Sequence, residues 1–368
     1  DSMLTEARSG QAQVYKLSND KMEIEFTTKG AQPYSVKLND YKTYDSLDLY
    51  LIKPEGSELG ISVFAGENIN TKDFVFQVAE HTDSKIVMQL PFAQGGYIQQ
   101  TYSLTEGSYM VQNELAFIGM ENVMPRNVSM LDIDWSVIIP RLEKGYKNEK
   151  QYSKLDYYFD GDKKPEEIAR NRDQAKSINT KFKWFAFQQQ FFSAIMTSGT
   201  EFASADFDVK YYSQDDPSRN LMAATAKLRA DFTNVGGNFA IQNDFYFGPN
   251  DYKTLKNYDM KYEKIIPLGG WLVSWISRFV IIPIFDFLGK FIKNYGLIKK
   301  SGGWYTFVDP ETGEVLRDEV TGKDAKVNGL GKVYDFLQAN EVYYKKLQDY
   351  IMTDINGKAD VVDGEETN

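Results

Sequence analysis

The sequence predicts a mainly β protein: a large antiparallel two-sheet sandwich, then an amphipathic helix and a small α+β segment. Three observations carry that prediction. Apolar and polar residues alternate with a period of two from Val14 to about Asn250. Tyr and Phe, which favour strands, number 24 each. At Gly270 the apolar spacing changes to three and four.

Taken in order, residues 1–13 are polar and lack the apolar centre of a secretion signal. They read as a flexible N-terminal segment of a trimmed or mature chain. Residues 14–265 form the expected sandwich. Met22-Glu23-Ile24-Glu25-Phe26-Thr27 alternates cleanly, 74–78 more weakly, and strands follow at 85–90, 97–104, 109–117 and 128–139. Turns are expected at Lys29-Gly30, Gly95-Gly96, Glu106-Gly107 and Gly236-Gly237. A polar interruption covers 141–177, with a loop at Asp160 to Pro165 and a short helix opening over 165–169. Strands then resume through 183–196, 202–212, 221–232 and 238–247.

Residues 266–298 read as an amphipathic helix bent near Pro283. Leu272, Trp275, Ile276, Phe279, Val280, Ile284, Phe287, Leu288 and Phe291 share one face, with Arg278, Asp286, Lys290 and Lys293 between them. Two placements are open. The helix packs on its own domain, or it lies in a membrane interface with Trp271, Leu272, Trp275, Phe279, Phe287 and Phe291 toward lipid. No segment reaches the roughly 18 uncharged apolar residues that span a bilayer. Residues 299–357 then read as a small α+β segment, with a strand through Trp304 to Phe307, a turn at Asp309 to Gly313, a second short strand, and helix at 333–337 and 342–351. Residues 358–368 are an acidic, disordered tail.

The net charge of −10 disfavours general nucleic-acid binding. The absence of cysteine excludes disulfides, thiolate nucleophiles and Cys-ligated zinc. The single histidine, His81, excludes a multi-histidine metal site. Asp132 and Asp134 share a strand face and read as solvated rather than as a catalytic pair. His81 reads as a turn residue between strands. The aromatic run from Trp184 to Phe192 suits interior packing better than a stacking platform, and its glutamines suit the backbone of a neighbouring loop. The carboxylates of 309–324 lack the spacing of a calcium loop. No enzymatic activity is expected from these residues.

Four ordered stretches resemble the YidC family of bacterial membrane protein insertases. They are residues 14–38; Lys183-Trp184-Phe185-Ala186-Phe187-Gln188-Gln189-Gln190-Phe191-Phe192-Ser193-Ala194; Phe245-Tyr246-Phe247-Gly248-Pro249; and Gly270-Trp271-Leu272 on to Gly296. Of these, Trp184, Ala186, Gln189, Phe192, Gly248 and Pro249 match family motif positions and read as structural. The resemblance implies a β-supersandwich on the periplasmic side of the inner membrane, an interfacial helix, no cofactor, and work with the Sec translocon on nascent membrane proteins. It also implies five core membrane spans. Here Lys299-Lys300-Ser301-Gly302-Gly303 stands where the first would begin, so insertase activity is not expected from this chain alone.

Residues 299–357 more weakly resemble the C-terminal part of RecA-type recombinases, through Lys300-Ser301-Gly302-Gly303-Trp304-Tyr305 and the acidic end. That likeness implies contact with duplex DNA, although 299–368 hold 9 Lys and Arg against 14 Asp and Glu. A carbohydrate-binding or carbohydrate-active sandwich is the alternative for the main domain. It would show a cleft with two carboxylates about 5–9 Å apart.

Overall fold

A computed structural model of the protein describes residues 2–266, 298–301, 304–317, 323–328, 330–340, 342–343 and 346–347. The chain divides into two compact units, Asp1–Ile266 and Pro267–Asn368. The expected membrane-facing residues Trp271, Leu272, Trp275, Phe279, Phe287 and Phe291 lie outside the described residues.

The first unit runs β1 (Val14–Ser18), β2 (Met22–Thr27), β3 (Gln32–Lys42), β4 (Asp48–Ile52), β5 (Ser57–Ala65), β6 (Glu67–Asn70), β7 (Gln77–His81), β8 (Lys85–Pro91), β9 (Tyr97–Leu104), β10 (Met110–Ile118), β11 (Met130–Pro140), β12 (Lys154–Tyr158), β13 (Glu166–Ile168), β14 (Gln174–Ile178), β15 (Phe182–Gln188), β16 (Phe192–Phe202), β17 (Ser204–Tyr211), β18 (Asn220–Asp231) and β19 (Phe239–Pro249). Every named pairing is antiparallel. One large sheet has the order β13-β12-β15-β16-β19-β10-β9-β8-β7, and a second has β14-β17-β18-β11-β5-β6.

The two large sheets close on an aromatic layer. Trp135 of β11 is fully buried, and its ring stands 5.3 Å from those of Phe187 and Phe245, with Phe185 and Phe247 slightly farther out. Phe207 of β17 meets Tyr157, Phe182 and Phe185 in the same layer. Edge-on contacts of this kind add to the hydrophobic term, because the positive ring edge meets the negative face. Alternation is the cause of the arrangement: β11 buries Leu131, Ile133, Trp135 and Val137 while Asp132, Asp134 and Ser136 stay partly wet.

The structure departs from the sequence reading in several places. The sandwich carries a third, four-stranded sheet of order β1-β2-β3-β4, joined to the rest where Tyr102 donates its hydroxyl to the Ala31 carbonyl at 2.9 Å. Residues 1–13, expected to be flexible, contain helix α1 (Ser2–Ser9). Leu4 is buried, the Ala7 carbonyl accepts from Val75 N–H at 2.8 Å, and the Arg8 guanidinium lies over the Phe74 ring. The polar interruption at 141–177 holds helix α2 (Tyr146–Tyr152) and three strands. The helix expected over 165–169 is instead edge strand β13, because Leu155 of β12 offers Ile168 a ladder partner. Finally, 74–76 bridge between elements, with Phe74 and Phe76 buried, and the regular strand begins only at Gln77.

Helix α3 (Tyr252–Lys256) follows β19, with Asp251 capping it by accepting from Thr254 N–H at 2.8 Å. In the second unit β20 (Ile298–Ser301), β21 (Trp304–Phe307) and β22 (Lys326–Asn328) form a three-stranded sheet, and helix α4 (Leu330–Ala339) follows. That unit has a core of its own, in which Phe307 stacks on Phe336 at 3.9 Å beside Val333, Leu337 and Tyr343.

Candidate functional site

Trp184 and Ala186 of β15 lie on the outward face of the nine-stranded sheet, beside the segment by which the chain leaves the sandwich, whereas Phe185, Phe187, Phe245 and Phe247 of the same motifs turn inward onto Trp135. β15 and β16 form a hairpin around Gln189-Gln190-Phe191, so the run 183–196 is two strands and not one. β16 pairs next with β19, placing Phe192 opposite Pro249 and Ser193 opposite Gly248. The hairpin turn is tied down from three sides. Gln189 Nε2 donates to the Pro140 carbonyl at 2.9 Å, Asn250 Nδ2 donates to the Gln189 carbonyl at 3.0 Å, and Ser193 Oγ donates to Asn250 Oδ1 at 2.6 Å.

Trp184 lies on the same face and is fully buried. Its ring stacks on Tyr158 and its Nε1–H donates to the Met260 carbonyl at 2.8 Å. Tyr262, also buried, lies edge-on to Trp184 and shares a hydrogen bond with Thr197. Residues 252–265 are thereby fastened to the sheet just before residue 266. Ala186, opposite Ile195, is small and buried beneath this layer.

Gly248 has a steric task. The Tyr246 side chain folds back over it to donate its hydroxyl to the Pro249 carbonyl at 2.6 Å. A Cβ on residue 248 would meet Tyr246 Oη at 2.7 Å and Tyr109 Cγ at 2.9 Å. Gly248→Val is expected to displace that ring and cost about 2–4 kcal/mol. A urea midpoint within error of the parent would refute the steric argument.

Beside this layer lies a group of charges that the sequence reading missed. Lys154 Nζ is 2.8 Å from Asp156 Oδ1 and 2.9 Å from Glu167 Oε2, and Arg170 Nε donates to Glu167 Oε1 at 2.8 Å. Lys154 and Asp156 are buried on the Trp184 side of a strand that is buried throughout. Asp156 has Lys154 as a charge neighbour, yet neither of its oxygens receives a well-directed hydrogen bond. Burial accordingly raises its carboxyl to about 6 against the pull of Lys154, whereas the Arg170 hydrogen bond lowers Glu167 to about 2.

A second buried carboxylate, Glu149 of α2, pins the following edge of β11. Its Oε1 accepts from Leu142 N–H at 2.8 Å and its Oε2 from Glu143 N–H at 3.4 Å. Burial raises it to about 7. A carboxyl raised in the folded state binds its proton more tightly there than in the unfolded chain. Stability from Glu149 is therefore complete below about pH 4.5 and lost as pH rises through 7. Glu149→Gln keeps one acceptor without the charge, and is expected to gain about 2 kcal/mol at pH 8 and almost nothing at pH 4.5. Parallel stability curves for the two proteins across that range would rule this out.

The other candidates stand apart from this layer. Asp132 is half-exposed and accepts from Arg229 Nε at 3.0 Å. It lines a shallow depression of about 530 Å3 on the outer face of the six-stranded sheet, with Ser62, Phe64, Asn70, Met130 and Arg229. Asp134 faces Lys227 across the ladder. His81 ends β7 rather than sitting in a turn. Its Nε2 lies 3.0 Å from the Lys16 carbonyl and its ring is edge-on to Tyr15. Asp309 caps its own turn through Glu311 and Thr312 N–H.

Among solved structures, a galactose mutarotase-like protein from Lactobacillus casei overlays 64% of this chain and all of its own length, at 10% identity and a TM-score of 0.42. That overlay is too loose to bear on function. Membrane protein insertase YidC of Parabacteroides distasonis is 31% identical over 304 residues, covering 80% of this chain and 47% of the relative. The same-named protein of Azobacteroides pseudotrichonymphae is 32% identical over 282 residues, covering 74% and 45%. The chain thus spans about half the length of these curated relatives. The family model described as the YidC periplasmic domain matches residues 14–283, from β1 past the end of the sandwich. With that match covering all three sheets of the first unit and every motif residue placed above, the chain belongs to the YidC periplasmic domain family.

Proposed function

We propose that this chain serves as a periplasm-facing interaction domain of a membrane protein insertase at the inner membrane, presenting its surface to Sec translocon subunits and to nascent membrane proteins. The observation that carries the reading is the family match over residues 14–283, which takes in the whole sandwich and the start of the amphipathic segment. The internal economy of the motif residues supports it. Trp184, Gln189, Phe192, Gly248 and Pro249 spend their contacts inside the domain, on neighbouring strands, the Pro140 carbonyl and the 252–265 segment, which suits a scaffold better than a reaction centre. Among the described residues no helix is long and apolar enough to cross a membrane. The 266–298 segment, read as an interfacial helix, would then hold the domain against the bilayer.

Photo-crosslinking in native membranes tests this. A photoreactive amino acid placed singly at exposed strand and loop positions of the full chain is expected to give adducts with translocon subunits. Adducts with none of them, at any position, would remove the proposed role.

A further inference from the structure

We infer that one end of the sandwich contacts an anionic lipid surface directly, with Leu47, Tyr152 and Phe191 entering the interface and Lys144 and Lys147 meeting the headgroups. The inference rests on the membrane-side placement proposed above and adds a second contact to the amphipathic segment.

Three loops make up this end. The β3–β4 turn is joined to the segment after β11 by Tyr44 N–H donating to the Leu142 carbonyl at 3.2 Å. The β15–β16 turn is joined to the end of β11 by Gln189 donating to Pro140. α2 lies between Leu142 and β12. Each loop carries a large apolar side chain turned to solvent: Leu47 is 62% exposed, Phe191 51% and Tyr152 47%, and Tyr44 is exposed beside them. Large apolar tips gathered at one end of a domain mark a candidate contact surface.

Charge selects which partner. Lys144 and Lys147 are exposed and form no ion pair among the described residues. The neighbouring acids are engaged: Asp48 holds Lys42 at 2.5 Å and Asp45 accepts from the Thr43 hydroxyl. Separate apolar tips with free lysines between them suit a soft anionic interface, into which each tip inserts independently. The opposite end also exposes Phe64, Met130 and Val235, with Glu67 paired to Arg8 at 3.6 Å and Asp231 to Lys181 at 3.7 Å among them.

The chain has no cysteine, so single labels report cleanly. Leu47→Cys, Phe191→Cys and, as control, Val235→Cys in the full chain would each carry a polarity-sensitive fluorophore. Each would be mixed with vesicles of phosphatidylcholine alone or with added phosphatidylglycerol, and flotation read in parallel. Expected are blue shifts at 47 and 191 with the anionic vesicles and none at 235. Lys144→Glu with Lys147→Glu should weaken the partitioning read at 191 by at least about twentyfold, from about fivefold per lysine. Flotation without shifts at 47 and 191, or with an equal shift at 235, overturns this inference and leaves the membrane placement standing. Absence of flotation overturns both.

Discussion

Trp135→Ala is expected to cost about 3–5 kcal/mol, the largest loss from any single truncation in the sandwich. The reason is position as much as size. Trp135 lies on β11, near the middle of the six-stranded sheet, and its ring meets four phenylalanines of β15 and β19 across the interface. Its Nε1–H is satisfied by Ser57 Oγ at 3.1 Å, so truncation leaves a cavity and also strands that hydroxyl. The surrounding strands are fixed by ladders on both sides and cannot collapse into the space. Trp135→Phe keeps most of the volume and should cost less than half as much. Urea unfolding followed by far-ultraviolet circular dichroism measures both. Equal, small losses for the two variants would mean that the sheets are not clasped through this ring.

Lys154→Met is expected to destabilise the protein by about 3–5 kcal/mol at pH 8, because it leaves Asp156 as a buried carboxylate without its cation. The same substitution should cost much less at pH 5. The Asp156 carboxyl is raised above its unfolded value to about 6, so the native protein already holds that proton at the lower pH. The sign for the parent protein follows the same logic. Stability contributed by Asp156 is complete below about pH 4 and lost as pH rises through 6. Glu167 works oppositely, since its lowered carboxyl contributes above about pH 4.5 and loses that contribution as pH falls towards 2. It is partly exposed, so solvent reduces its share. Replacing Lys154 and Asp156 together by Met and Leu should recover most of the loss. A double variant no better than Lys154→Met alone would show that the pair is not coupled.

Much of the first unit was legible because its strands alternate without interruption. β2 and β9 switch between buried and wet residues at each step, β11 does so up to Ile139, and their boundaries fall close to the sequence reading. β12 was hidden for the opposite reason. Lys154 and Asp156 mark a solvated face in sequence, yet that face is covered and both are buried, so tertiary contact overrides the pattern. β3 escaped for want of alternation, since two pairs of neighbouring residues are buried along it. Alternation also says which way a side chain faces but not which strand lies beside it, so the partition into four, six and nine strands was beyond it.

The site divides in the same way. Trp184, Gln189 and Gly248 were found by resemblance, but the tasks of Gly248 and Gln189 depend on Tyr246 folding back and on Pro140 arriving from another sheet. No local signal marks Glu149, whose partners lie six and seven residues upstream in an irregular segment. A glutamate in a lysine-rich stretch reads as surface until the fold closes over it.

The proposed role depends on one core enclosed by two large antiparallel sheets. Hydrogen–deuterium exchange on the full chain tests that most directly. The slowest amides are expected in β11, β16, β18 and β19, the interior strands of both sheets, with edge strands β7 and β13 exchanging much faster. Protection concentrated in the edge strands, with fast exchange through β11 and β19, would contradict the two-sheet core and the functional reading built on it.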